Sequence, residues 1–191
     1  MELHLLRVVL LFFLTAQQCN GQSQCLQGPP GQPGIPGTPG TPGKPGPPGF
    51  CRRWKQCAWK YDNSKDGRDS GQVHECDFVK LRGDSYLRVV YMGNIRITGC
   101  TNCCKRWYFT FNYAECSNPA PIDGSLYQNL DLNIHRPNNI EGYCGGIAAG
   151  KVRVGFSVGS CPVPYNSRGD AWTSWNQVNR IIIEEVEPPV A

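Results

Sequence analysis

The side chains with most chemistry to offer in this sequence are sulfurs: eleven cysteines among 191 residues. Thiols at that density pair by oxidation or ligate metal, and a reducing compartment rarely keeps so many idle. Three bunch together as Cys100-x2-Cys103-Cys104, and Cys-x2-Cys is also the ligand spacing of structural zinc sites. No second matching pair with histidine follows. Structural disulfides are therefore the expected use of Cys57, Cys76, Cys100, Cys103, Cys104, Cys116, Cys144 and Cys161. Eight cysteines allow 105 pairings, and spacing does not choose among them. One constraint is local: adjacent Cys103 and Cys104 on a strand point to opposite faces, so they take different partners.

Two further patterns could bind. Arg-Gly-Asp occurs twice, at Arg82-Gly83-Asp84 and at Arg168-Gly169-Asp170. The guanidinium offers a fork of donors to an acidic groove, and the carboxylate can complete the coordination sphere of a divalent cation. Glycine lets both project from a tight turn. These six residues are the integrin-binding candidates. The first triplet lies between two predicted strands and reads as a hairpin turn; the second lies in a stretch rich in Pro, Asn, Ser and Gly. The other pattern is Arg52-Arg53-Trp54-Lys55 with Lys60 nearby. Repeated around an assembly, Arg52, Arg53, Lys55 and Lys60 would form a basic collar suited to heparan sulfate or another glycosaminoglycan.

Catalysis is not expected. Beyond the N-terminal segment only His74 and His135 remain, neither in a metal-ligand pair, and no phosphate loop or nucleophile elbow occurs. Asp123, Asp131 and Glu141 are scattered carboxylates of the kind usually solvated. No motif calls for a cofactor or a metal. A net charge of +4 with 18% charged residues does not imply a nucleic-acid partner.

The elements that must carry these groups divide the chain into four. Residues 1–21 place Arg7 ahead of the apolar run Val8 to Leu14 and then small or polar residues, the layout of a cleavable secretory signal. That run is too short for a membrane span. Residues 22–27 form a short segment containing Cys25. Residues 28–51 hold glycine at every third position: Gly28, Gly31, Gly34, Gly37, Gly40, Gly43, Gly46 and Gly49. Only glycine fits the crowded axis of three polyproline-type chains wound together, so this period predicts a short collagen stalk and a homotrimer. Proline fills the third place of each complete triplet, making Pro30, Pro33, Pro36, Pro39, Pro42, Pro45 and Pro48 the hydroxylation candidates. So short a rod needs staples, and Cys25 and Cys51 bracket it as candidates for interchain bridges.

Residues 52–191 read as an all-β head. Alternation runs through Tyr86 to Tyr91, Ile95 and Ile97, Trp107 to Phe111, Leu130 to Ile134, Val152 to Val158, and Val178 to Ile183. Turn signals stand at Gly93-Asn94, Asn118-Pro119, Asn138-Asn139 and Gly145-Gly146. Many short alternating strands with frequent turn residues predict a sandwich or barrel.

The run CLQGPPG at Cys25, the collagen tract, CKRWYFTFNYAEC from Cys104 to Cys116, and NRIIIEE from Asn179 to Glu185 resemble the collagen triple helix repeat-containing family. The resemblance spans nearly all of the chain after the signal. It implies a secreted, trimeric extracellular matrix protein that promotes cell migration and restrains collagen deposition. It also implies partnership with Wnt, Frizzled and Ror receptor complexes in planar cell polarity signalling. The stalk-plus-head plan is similar to collagen-tailed complement-type proteins, whose heads are trimeric jelly rolls, so a complement- or TNF-like jelly roll is one form the sandwich could take. No Asn-x-Ser/Thr triplet occurs, although relatives are described as glycoproteins.

Overall fold

The computed structural model describes residues 52–162, 164 and 168–190. The predicted signal segment, the Gly-x-Pro tract with its axis glycines and hydroxylation candidates, Cys25 and Cys51 lie outside the described residues.

Ten strands and one helical turn follow in the order β1 (Arg53–Lys60), α1 (Asn63–Asp66), β2 (Gly71–Lys80), β3 (Tyr86–Thr98), β4 (Cys103–Phe111), β5 (Ala114–Glu115), β6 (Asp123–Gln128), β7 (Arg136–Cys144), β8 (Gly150–Ser160), β9 (Asp170–Thr173) and β10 (Val178–Val186). One sheet runs β1-β10-β3-β7, with β9 pairing β3. The other runs β2-β8-β4, with both β5 and β6 pairing β4. Every pairing is antiparallel. Apart from the short β5 and β9, the long strands alternate between the two sheets, save for β4 and β6, which are neighbours in one. That is jelly-roll connectivity, and the all-β sandwich expected from the alternation is the fold.

The period of two builds the core directly. Inward residues Leu87, Val89, Tyr91, Ile95 and Ile97 of β3, and Ile181 and Ile183 of β10, meet Trp107 and Phe109 of β4 and Val154, Phe156 and Val158 of β8; all are essentially buried. Tyr91 stacks on Phe156 at 4.0 Å, and Phe109 tilts against the same ring at 5.1 Å. Trp107 donates its Nε1–H to Thr173 Oγ1 at 2.6 Å across the sandwich. Both groups are fully buried, so the indole is satisfied where water cannot reach it.

The structure corrects four local readings. Gly93-Asn94 and Asn138-Asn139 are not turns: they lie inside β3 and β7 and pair with each other, Gly93 opposite Asn138. Position 93 must be glycine for a packing reason, because a Cβ there would run into the Tyr91 hydroxyl and Asn179 Oδ1. Leu130 to Ile134 is not a strand. Its alternation is inverted: Asp131 Oδ1 accepts from Gly99 N at 2.8 Å and Thr98 Oγ1 at 3.1 Å, and Asn133 Oδ1 accepts from Arg96 Nη1 at 2.9 Å. The polar side chains bond to β3 and its end while remaining exposed, and Leu130, Leu132 and Ile134 are exposed as well. Finally, Arg82-Gly83-Asp84 is not a hairpin turn, since β2 and β3 belong to different sheets and the triplet lies in the crossover between them.

Among the described residues the eight cysteines pair as Cys57–Cys76, Cys100–Cys103, Cys104–Cys161 and Cys116–Cys144. Cys103 and Cys104 take different partners, as their opposite faces on β4 require. With all three sulfurs of the Cys-x2-Cys-Cys run in bridges, the zinc reading is excluded. Among the described residues no helix is long and apolar enough to cross a membrane.

Candidate functional site

The basic segment after the tripeptide tract is an edge strand. β1 lies on β10 in register from Arg53↔Glu185 to Lys60↔Val178. Alternation sends Arg52, Trp54 and Lys60 to the outer face of the sheet. Arg52 Nε lies 2.8 Å from Glu184 Oε1, and Lys55 Nζ donates to the Asp77 backbone carbonyl at 2.6 Å. The four candidate cations therefore do not form one free cluster: Arg52 is paired, Lys55 caps the neighbouring sheet edge, Arg53 is half-buried, and Lys60 is exposed at the strand's far end. Trp54 stands 67% exposed among them.

The first Arg-Gly-Asp triplet is held from beneath. Glu185, on β10, is buried and accepts from Leu81 N at 2.9 Å, Arg82 N at 2.9 Å and Ser85 Oγ at 2.6 Å. Buried Lys80 donates to the Arg82 carbonyl. Burial alone would raise the Glu185 carboxyl; the bonds from Ser85, Leu81 and Arg82 and the charge of Lys80 bring it below its ordinary value. Burial pushes the Lys80 ammonium down, with Glu185 and Asp84 opposing. Above this platform Arg82 grips Asp84 through two bonds, Nε to Oδ1 at 2.9 Å and Nη2 to Oδ2 at 2.7 Å. That fork holds the Asp84 carboxyl below the usual range.

The second triplet opens β9. Asp170 Oδ2 accepts from Arg96 Nη2 at 2.7 Å and Trp172 Nε1 at 3.1 Å. Gly169 is buried, and a Cβ there would lie 2.6 Å from Cys100 Sγ. Arg168 is exposed. In both triplets the aspartate is already engaged by a guanidinium of this chain, its own triplet's at 84 and that of Arg96 at 170.

The carboxylates Asp123, Asp131 and Glu141 do not converge on one another. Asp123 pairs with Arg106, which also holds Glu115; Asp131 binds the end of β3; Glu141 takes Arg88 Nε at 2.7 Å. His135 stacks on Trp175 at 4.7 Å, and burial followed by the charge of Arg96 lowers its pKa. Among the described residues no group of three His, Cys, Asp or Glu could hold a metal ion.

His74 has a role that its position in the sequence did not reveal. Its Nε2 lies 3.2 Å from Asp66 Oδ1 and 3.1 Å from Asn179 Nδ2, and its ring stacks on Trp59 at 4.6 Å. The Tyr91 hydroxyl donates to Asn179 Oδ1 at 3.1 Å. Asp66, His74, Tyr91 and Asn179 are all buried, so this row ties α1, β2, β3 and β10 together from inside. The buried pair Lys80 and Glu185 was also missed. A signal existed: in Asn179 to Glu185 the strand period gives Asn179 and Glu185 the same inward phase as Ile181 and Ile183.

Comparison with known families matches residues 49–183 to the model described as "CTHRC1, C-terminal domain". The match begins at the last glycine of the tripeptide tract and runs through Ile183 of β10. It covers well over half of the chain.

Proposed function

This chain belongs to the collagen triple helix repeat-containing (CTHRC1) family, and we propose that it is a secreted, homotrimeric extracellular matrix protein that modulates cell migration. In this reading it binds Wnt ligand–receptor complexes containing Frizzled and Ror, favours planar cell polarity signalling, and limits collagen deposition. The observation that carries the reading is the family match over the head, joined to a tripeptide tract that demands three chains. Four disulfides in the head agree with passage through an oxidising compartment.

The test is retention of Frizzled and Ror ectodomains on immobilised mature chain, with and without Wnt. Retention strengthened by Wnt is expected. No retention under either condition refutes the receptor reading and leaves the family assignment standing.

A second reading is an adhesive matrix component binding integrins or glycosaminoglycans. The exposure of the first triplet favours it, since the Arg82 and Asp84 side chains are 44% and 64% exposed. Against it stand the fork between those two side chains and the pairing of Arg52 with Glu184.

A further inference from the structure

The two outer faces of the sandwich differ in chemistry. The outer face of the β2-β8-β4 sheet is ionic: Arg153 pairs with Glu75, Lys151 with Asp77 at 2.9 Å, and Arg106 with both Asp123 and Glu115. Such a face is at home in water.

The outer face of the β1-β10-β3-β7 sheet carries Ile182, Val90 and Met92 on its central strands among paired charges, with Trp54 and Tyr143 on its edge strands. Cross-strand register sets Trp54, Glu184, Arg88 and Tyr143 in one row, Gln56, Ile182, Val90 and Glu141 in the next, and Ala58, Arg180, Met92 and Asn139 in the third; Val178 lies beyond, beside Lys60. Trp54, Met92, Tyr143 and Val178 are exposed by 67, 44, 50 and 37%. The charges in the first rows are matched among themselves: Arg52 to Glu184, Arg88 to Glu184 at 3.1 Å, and Arg88 to Glu141. Aromatic, methionine and arginine side chains around an apolar centre are the composition of a protein interface, and contiguous apolar patches are rare on a surface meant for water.

We propose that this face is where the three heads of the trimer meet, its occupants being further copies of this chain. The inference rests on the trimer of the preceding reading and adds the surface that closes it. Chain continuity selects the face. The tripeptide repeat ends at Gly49, and Trp54 follows five residues later. A fully extended backbone covers at most about 18 Å over that span, so three chains wound together at Gly49 keep every Trp54 near the common axis. Trp54 points out of the β1-β10 face, so the patch nearest the axis is the apolar one.

Photo-cross-linking in the full mature chain tests this. The substitutions Met92→p-benzoylphenylalanine and, separately, Tyr143→p-benzoylphenylalanine probe the face, with Lys151→p-benzoylphenylalanine on the opposite sheet as control. All three positions are exposed, and secretion with an unchanged far-UV circular dichroism spectrum certifies the fold. Products are read on reducing gels, so cystine links do not contribute. Covalent dimers and trimers from position 92 or 143, and none from 151, are expected. If the unmodified chain sediments as a trimer while 92 and 143 give no products, or 151 gives as much, the face assignment fails and the trimer stands. Sedimentation as a monomer defeats the trimer and the assignment together.

Discussion

Arg82 and Asp84, the two ends of the first Arg-Gly-Asp triplet, are bonded to each other through one guanidinium edge, Nε to Oδ1 at 2.9 Å and Nη2 to Oδ2 at 2.7 Å. The donors an acidic groove would need and the oxygens a cation would need are thus committed to one another. At the second triplet Arg96 takes the same part. Cell adhesion to the double variant Asp84→Glu, Asp170→Glu is expected to equal adhesion to the parent protein in a plate assay. A large, cation-dependent loss would reinstate the integrin reading.

Glu185 supplies the second prediction. Its carboxylate satisfies two backbone N–H groups and a hydroxyl beside a buried ammonium. Removing one partner of a buried charged arrangement costs about 3–5 kcal/mol. The Glu185→Ala chain should therefore melt well below the parent, and the urea midpoint is the check. Lys80→Met together with Glu185→Leu should recover part of the loss.

The same residue shapes the acid limb. Its folded pKa lies below the ordinary value of 4.5, so its contribution to stability is complete above that value and disappears as pH falls through the folded pKa. Asp77 and Asp84, lowered by Lys151 and Arg82 hydrogen bonds respectively, act in the same sense. Denaturation midpoints should hold level near neutrality and fall below pH ~4. Glu185→Gln, folded to a lower plateau, should show a shallower acid limb; an unchanged limb contradicts the assignment.

The disulfides should rank by the chain they enclose. Cys104–Cys161 spans 57 residues and Cys100–Cys103 spans three. Loop-closure entropy assigns about 4 kcal/mol to the long bridge and about 1.5 to the short one. Replacing both members of each pair by alanine and comparing urea midpoints tests the order, which reverses if the short bridge matters more.

Thr173→Val isolates one bond. It removes the acceptor of the Trp107 indole at nearly constant volume, and an unpaired buried donor costs about 1–3 kcal/mol. Calorimetry should register a lower melting temperature with the fold unchanged.

Much of this architecture could be read from alternation. Trp107-x-Phe109-x-Phe111 and Val152 to Val158 name their own inward faces because burial on one side of a strand imposes a period of two. Local signals failed where long-range contacts outweighed them. Gly93-Asn94 carries turn propensity, yet β7 pairs along it and the Tyr91 hydroxyl occupies the space of a side chain. Leu130 to Ile134 has the strand period with the phase reversed, which only its bonds to Arg96, Thr98 and Gly99 reveal. Disulfide partners were illegible because each bridge joins residues whose proximity is a product of the finished sandwich, apart from Cys100–Cys103. The basic segment was legible as charge; its partners Glu184 and Asp77 lie more than a hundred and about twenty residues away, and no pattern in the sequence announces them.

The bridge from Cys57 to Cys76 has a mechanical consequence. β1 is the first described strand after the tripeptide tract, and its ladder to β10, the Arg52–Glu184 pair and the bond from Lys55 to the Asp77 carbonyl hold its leading half. Peeling from its N-terminal end would break those contacts through Arg53 to Gln56 and then meet a covalent anchor in β2, in the opposite layer. Tension is thereby shared between both layers after four residues, and the head yields at its rim before it can be unravelled.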